Sequence, residues 1–237
     1  EKITQTSHYD LVNATSYTRN ANEDGSNRSL RLRLEGEKYF GESKLSGRFS
    51  VNNRHNTLDT TRVGNGSVTE NTKSDEDEFT SAARWDQPID LHFVSLGVEY
   101  NKLSHQDNQL FGPAAFQYKS SSQDQVLWLQ DVWTPQDSVT VTGGLRMENM
   151  ALKSDGNSHQ DFALLPSVAV RWQTQEAWVF RTSLGAGMKT PRLNEITATL
   201  TRSITQNTPL DADSRGNPNL KPELATGIDI AAERYLP

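Results

Sequence analysis

The sequence predicts an all-β chain: an antiparallel, up-and-down transmembrane β-barrel sheet of about ten strands, cut to the height of a membrane. Three observations point there. Polarity alternates with a period of two along much of the chain. The connections alternate between short and long. The tryptophans gather beside the short ones.

The alternation is clearest in Ser138 to Glu148. Val139, Val141, Gly143, Leu145 and Met147 fall on one side; Ser138, Thr140, Thr142, Gly144, Arg146 and Glu148 fall on the other. A strand sends successive side chains to opposite faces, so this segment has one oily and one wet face. Val94, Leu96, Val98 and Tyr100 oppose Ser95, Gly97, Glu99 and Asn101 in the same way. Leu30, Leu32 and Leu34 oppose Arg31, Arg33 and Glu35, while Trp178, Phe180 and Leu184 oppose Arg181 and Ser183. Strands are expected near 8–20, 28–39, 43–54, 78–86, 90–104, 121–134, 137–152, 161–174, 176–188 and 223–235. Most exceed the usual strand of about 5–6 residues and suit the roughly 9–11 that a tilted strand needs to cross hydrocarbon.

Short links are expected at 40–42, 86–89, 135–137 and 174–175, and longer polar links near 20–27, 55–77, 105–120, 153–160 and 189–222. Tight turns at one end and long loops at the other describe a membrane barrel. A soluble sandwich has no reason to sort its loops so. Trp85, Trp133, Trp172 and Trp178 lie within a few residues of the short links, as do Tyr39 and Phe40. Amphipathic rings favour the headgroup level. Only Trp128 lies deeper.

Composition closes other routes. The chain has 237 residues, 34% of them hydrophobic, with mean hydropathy −0.71 and a net charge of −6. No apolar run reaches the ~18 residues of a membrane helix, and no charged-then-apolar leader is present. The acidic balance disfavours a nucleic-acid partner. Cysteine is absent, so thiol catalysis and Cys-zinc sites are excluded. No P-loop, dinucleotide fingerprint, zincin or G-x-S-x-G pattern occurs. No catalytic residue, cofactor or metal site is assigned, and no enzyme activity is expected.

Leu184-Gly185-Ala186-Gly187-Met188-Lys189-Thr190-Pro191-Arg192-Leu193-Asn194-Glu195 resembles the G-[FY]-K-x-P-x-L-x-E segment of TonB-dependent outer-membrane receptors. Gly216-Asn217-Pro218-Asn219-Leu220-Lys221-Pro222-Glu223 resembles their GNPNLKPE loop return. Gln130-Asp131-Val132-Trp133-Thr134-Pro135, with Val139 to Arg146 after it, is similar to their Q-D-x-W strand, tight turn and L-x-x-G-L-R strand. Met188 departs from the family, standing where an aromatic is common. The resemblance implies that residues 1–237 are a portion of such a receptor's barrel, without the plug domain and without the final strands. It implies a Gram-negative outer membrane, high-affinity uptake of a scarce solute, most often a ferric siderophore, and energy delivered by TonB through the plug. The partners implied are outer-membrane lipid, the plug, TonB and the small-molecule ligand.

Within that frame Arg31, Arg33, Glu99, Arg146, Glu148, Arg171 and Arg181 are expected to face the lumen, because a charge on the lipid side costs roughly 2–4 kcal/mol at the midplane. They would hold the plug, line the solute path, or simply form a solvated wall. Ligand contact is expected on the external loops near 55–77, 105–120 and 189–222. The run Lys73-Ser74-Asp75-Glu76-Asp77-Glu78 could hold a divalent cation, although a solvated charged loop outweighs that reading. Asp211-Ala212-Asp213 opens like a calcium loop but loses its later ligands, with Arg215 and Pro222 in their places. His55, His105 and His159 are weaker candidates for a siderophore or metal contact. Two rivals remain: a complete small barrel with an enzyme site among Asp107, His105, Asp155 and His159, and a soluble β-sandwich binding module.

Overall fold

Strict alternation commits a backbone to a hydrogen-bonded ladder with two chemically different faces. The computed structural model describes residues 2–11, 17–64, 66–174, 177–201 and 212–235. The strands are β1 (Lys2–Leu11), β2 (Tyr17–Phe40), β3 (Ser43–Gly64), β4 (Gly66–Ile89), β5 (His92–Phe111), β6 (Ala114–Gln136), β7 (Val139–Ser154), β8 (Asn157–Gln173) and β9 (Trp178–Lys189). A one-turn helix α1 (Leu193–Ile196), the short strands β10 (Leu200–Thr201) and β11 (Ser214–Arg215), and β12 (Glu223–Arg234) follow. One ten-stranded sheet runs β1-β2-β3-β4-β5-β6-β7-β8-β9-β12, while β10 and β11 pair separately. All pairings are antiparallel, and β1 and β12 are the sheet's two edges. The molecule is a partial, up-and-down barrel wall.

Register turns the alternation into rows. Across one row Leu145 lies opposite Leu129, Leu129 opposite Leu96, Leu96 opposite Trp85, and Trp85 opposite Leu45. Leu145, Leu129, Leu96 and Leu45 are all exposed, and among the described residues no second sheet covers them. That rules out the sandwich: such a face is stable only against lipid. The next row of the same ladder runs Arg146, Trp128, Gly97, Arg84, Ser46 and Glu37, polar nearly throughout. This second face also carries Met150 and Leu152, against which Leu193 and Ile196 of α1 pack; it is the inner face.

The outer belt is edged with rings. Near the short turns Phe40 meets Trp85 at 5.8 Å, His92 stacks on Trp133 at 5.9 Å, and Phe180 stacks on Trp172 and Trp178 at 5.5 and 6.0 Å. Further along the strands Phe79 packs edge-on against Phe49 at 5.2 Å and Tyr100 at 5.7 Å. Rings at both borders of an apolar band mark its two water interfaces.

The structure corrects the loops. Residues 55–77 and 105–120 are ladder: β3 and β4 pair out to Gly64–Gly66, and β5 and β6 pair to Phe111–Ala114 around a Gly112-Pro113 turn. Residues 20–27 lie inside β2, and 153–160 form a tight hairpin at Asp155-Gly156. The expected strand 8–20 is the end of β1 and the start of β2, with 12–16 outside the described residues, and the turn expected at 86–89 falls at Asp90-Leu91. The physical reason is common to all. Beyond the lipid both faces meet water, so both become polar and alternation disappears while backbone bonding continues. Two prolines obey the same ladder. Pro135 sits at the register shift between Trp133 and Gln136, and Pro166 lies one residue past the last β8–β9 pair, Ser167–Gly185. A missing N–H is tolerated at such breaks.

Leu145→Arg should destabilise the barrel in a bilayer by roughly 2–4 kcal/mol, whereas Thr142→Arg on the opposite face should change it by less than about 1 kcal/mol. Urea titration of tryptophan fluorescence in liposomes measures both.

Candidate functional site

The ladder places every second side chain of β2–β9 on the inner face. All seven sequence-predicted charges, Arg31, Arg33, Glu99, Arg146, Glu148, Arg171 and Arg181, share it. So do Arg48, Arg54, Arg84 and Asp124, which the sequence reading did not single out, and Glu76 and Glu78, which it took only as part of the acidic run. Residues two apart on a strand point the same way, and the wall uses this repeatedly. Arg33 bonds Glu35, Arg146 bonds Glu148, and Arg84 bonds Asp86 at 2.6 Å. Across strands Arg54 meets Glu76 at 3.2 Å, Arg146 meets Glu99 at 3.5 Å and Arg181 meets Glu233 at 3.2 Å. Arg171 donates to Gln173 at 2.7 Å. Much of the wall's charge is therefore neutralised in place.

Trp128 is the exception among the tryptophans because it serves this inner face. Its indole N–H donates to Glu99 Oε1 at 3.1 Å, and the Arg84 guanidinium stands 5.6 Å from its ring. The ring lies flat over Gly97, where any Cβ would fall inside it. With Glu37, Ser46 and Arg48 it borders a groove of about 540 Å³. A second groove of about 330 Å³ lies among Arg48, Glu78, Glu99, Asn101, Asp124 and Arg146. There Asn101 Oδ1 and Asp124 Oδ1 are buried and without a hydrogen-bond partner among the described residues.

Above the second groove the chain from β9 to β10 forms a strap across the inner face. The Glu195 carboxylate accepts from the Arg192 N–H at 2.9 Å, closing the single turn of α1. Leu193 and Ile196 are buried with Met150 and Leu152, with Leu103 and Met188 packed against them. Thr197 donates to Ser120 Oγ at 2.7 Å, and Ser154 donates to the Ile196 carbonyl at 2.9 Å. The Ala198 N–H donates to Asp155 Oδ2 at 3.1 Å, Thr199 to Asp107 Oδ2 at 2.6 Å, and Gln109 to the Leu200 carbonyl at 3.0 Å. The return segment locks the strap from behind: Gly216 N–H donates to the Thr197 carbonyl at 3.0 Å and Asn217 N–H to the Glu195 carbonyl at 2.7 Å. A Cβ at Gly216 would overlap both of those carbonyls, which is why the motif opens with glycine. Residues 202–211, including Asp211, lie outside the described residues.

The strap's anchor is a charge pair. His105 Nε2 lies 3.0 Å from Asp107 and its Nδ1 3.8 Å from Glu76. The bond to Asp107 holds the His105 imidazole above its ordinary value, against burial that works to lower it. Burial works to raise the Asp107 carboxyl, and hydrogen bonds from His105, Ser74 and Thr199 outweigh it, leaving Asp107 below its ordinary value.

The other residues singled out in the sequence have partners within the wall. Ser74 donates to Asp107 at 2.5 Å, so the carboxylate stands between hydroxyl and imidazole, the wrong order for an activated nucleophile. Asp155 is spent on the Lys119 and Ala198 amides, and His159 pairs with Asp161. The acidic run 75–78 is strand: Glu76 and Glu78 face inward to Arg54 and Asn52, while Asp75 and Asp77 face outward to His55 and Asn53. Its carboxylates cannot converge on one cation. No cluster of three or more potential metal ligands exists among the described residues.

The sequence profile of the family described as TonB dependent receptor-like, beta-barrel, matches residues 3–237. The chain belongs to that family. Solved receptor barrels share its fold. The ferric yersiniabactin uptake receptor FyuA from Yersinia pestis superposes with TM-score 0.62 at 11% identity, covering 94% of this chain and 34% of its own. BauA, the ferric preacinetobactin receptor from Acinetobacter baumannii, gives 0.59 at 13%, covering 93% and 36%. The siderophore receptor PirA from Pseudomonas aeruginosa gives 0.57 at 16%, covering 97% and 48%. The chain thus spans less than half the length of each of these receptors. No curated protein matches it. Receptor barrels of this family are outer-membrane proteins of Gram-negative bacteria and act in uptake.

Two measurements check the strap of this receptor barrel. Gly216→Ala should loosen it by about 1–3 kcal/mol, the usual cost of overpacking, seen as faster amide exchange at Thr197 and Asn217. The His105–Asp107 anchor should also give the strap a pH window. The depressed Asp107 contributes fully above 3.8, and its contribution is lost as pH falls through the lower folded value. The raised His105 contributes fully below 6.5, and its contribution is lost as pH rises through the higher folded value. Exchange at Thr199 and Leu200, corrected for intrinsic rates, should be slowest between those limits, and His105→Gln should remove the alkaline step.

Proposed function

We propose that this chain is a portion of a receptor barrel that takes up a ferric siderophore across a Gram-negative outer membrane. The observation that carries the reading is the sheet's two-sidedness: an apolar outer belt with ringed borders, and an inner face of paired charges crossed by an anchored strap. In this reading the inner charges, including Arg31, Arg33, Glu99, Arg146, Glu148, Arg171 and Arg181, line the lumen. The plug of the full receptor rests against them, and TonB acts through that plug. Because much of the wall's charge is already paired, plug and solute meet a nearly neutral polar surface that holds neither by a large net charge. Ligand capture falls to the extended β3–β4 and β5–β6 hairpins and to the segment 189–222 around the strap. Asn101 and Asp124 offer acceptors beneath it. The process is binding and gating without covalent chemistry, and this chain acts in it only as part of the whole receptor. The siderophore assignment leans on the ligands named for the receptors that share its fold.

A strain lacking the parent gene, grown on a panel of ferric siderophores, cobalamin and glycans, tests this. Growth should fail on one ferric siderophore and return with the wild-type gene. Failure on cobalamin or a glycan alone would replace the ligand while keeping the receptor. Unchanged growth on the whole panel would overturn the uptake role.

A further inference from the structure

The ladder parts at one place. β8 and β9 pair from Ser167–Gly185 to Gln173–Val179 and no further. The distal part of β8, residues 157–166, keeps β7 on one side and has no strand on the other among the described residues. β9 runs on to Lys189 paired with β12 alone. Pro166 stands at the parting, where a missing N–H is tolerated. The distal ends of β8 and β9 therefore border a seam, and an open strand edge leaves backbone groups without a neighbour to bond.

The strap crosses this seam on the inner face. It leaves β9 after Lys189 and finds its anchors past β8, on three strands. Leu193 and Ile196 pack on Met150 and Leu152 of β7, with Leu103 of β5 beside them. Ser154 of β7 holds the Ile196 carbonyl, and Ser120 of β6 accepts from the Thr197 hydroxyl. Asp107 and Gln109 of β5 hold Thr199 and Leu200. β9 and β5 are four strand spacings apart, roughly 19 Å along the wall, so the strap is a chord drawn inside an arc. A chord bonded at both ends resists flattening. Segments that move are drawn from those with few buried contacts. The strap is the opposite: Ile196 is 1% exposed, Thr197 2% and Ser154 3%. Lifting it would bare the apolar cluster and strip partners from buried hydroxyls, and both are costly. The Gly216 and Asn217 amides are bonded to its Thr197 and Glu195 carbonyls, so it cannot rise alone.

We propose that the strap is a fixed brace: it spans the seam between β8 and β9, holds the β5–β9 arc bent, and stays seated while solute passes. The bracing rests on the ladder alone, and the staying seated rests on the uptake reading above. In this assignment the lumen is permanently narrowed along β5–β7, and gating falls to other elements of the receptor.

The full receptor, in a background without other cysteines, is refolded in liposomes with spin labels at Ser158→Cys on β8 and Leu224→Cys on β12, both exposed positions. Pulsed electron resonance reads their separation, and a single narrow distance is expected. Leu193→Ala with Ile196→Ala should broaden it and lengthen it by one strand spacing, roughly 5 Å. An unchanged distance would overturn the brace. Heat-modifiable migration reports barrel formation separately. Should the double variant form no barrel, Thr197→Val, which removes only the strap's hydroxyl, must broaden the distance for the brace to stand. A second arm uses cells with intact TonB, supplied with the growth panel's ferric siderophores loaded with radioactive iron. The Ile196→Cys thiol should stay closed to a membrane-impermeant maleimide before and during iron entry, and open on heating in detergent. Thr201→Cys, exposed on β10, should react throughout. Reaction at Ile196→Cys that appears only with siderophore and TonB together would make the strap a gate and overturn its staying seated. No iron entry from any siderophore would sink the uptake reading instead, and the spin-label distance would still decide the brace.

Discussion

The constraint on which this structure depends is that a backbone crossing hydrocarbon must satisfy its own hydrogen bonds. A sheet does so only through its neighbours, so each strand is useful only within a continuous ladder. That ladder fixes which side chains share a row, and the rows fix everything else. A one-residue slip between β6 and β7 would carry Leu145 inside and Arg146 into lipid. The apolar row through Leu145, Leu129 and Leu96 and the charged row through Arg146 are therefore one decision, made once by register.

The ladder also explains how so much charge is accommodated. Residues two apart share a face, so an Arg-x-Glu spacing supplies each guanidinium with a carboxylate on the same strand. Arg33 with Glu35 and Arg146 with Glu148 are formed this way. Exposed pairs of this kind contribute little stability each. Their effect is on the character of the wall, which is densely polar and nearly neutral. The strap is the contrasting element. It is held by buried bonds to Ser120 and Ser154 and a half-buried one to Asp107, on three different strands, and its return passes so close behind that only glycine fits at residue 216.

What could be read without coordinates depended on whether lipid lay on one side. In β7 and β5 hydrocarbon faced one side and water the other, so alternation was complete and Val139 to Glu148 could be assigned face by face. In the distal halves of β3 to β6 water lay on both sides. Asn53 to Thr57 and Lys73 to Glu78 carried no alternation, and strand there looks like loop. The acidic run at 75–78 was misleading for the same reason: four carboxylates adjacent in sequence are two pairs on opposite faces.

The sequence by itself determined the class of the protein and the alternation of the membrane-spanning rows, because period-two polarity is a local property that any strand must obey. The motifs at 184–195 and 216–223 determined the family. Only the tertiary structure decided that the strands outrun the membrane, that Trp128 lies against Gly97 and that Thr199 finds Asp107. Each of these is a meeting between residues far apart in the chain, and distance along a sequence carries no record of which rows the ladder brings together.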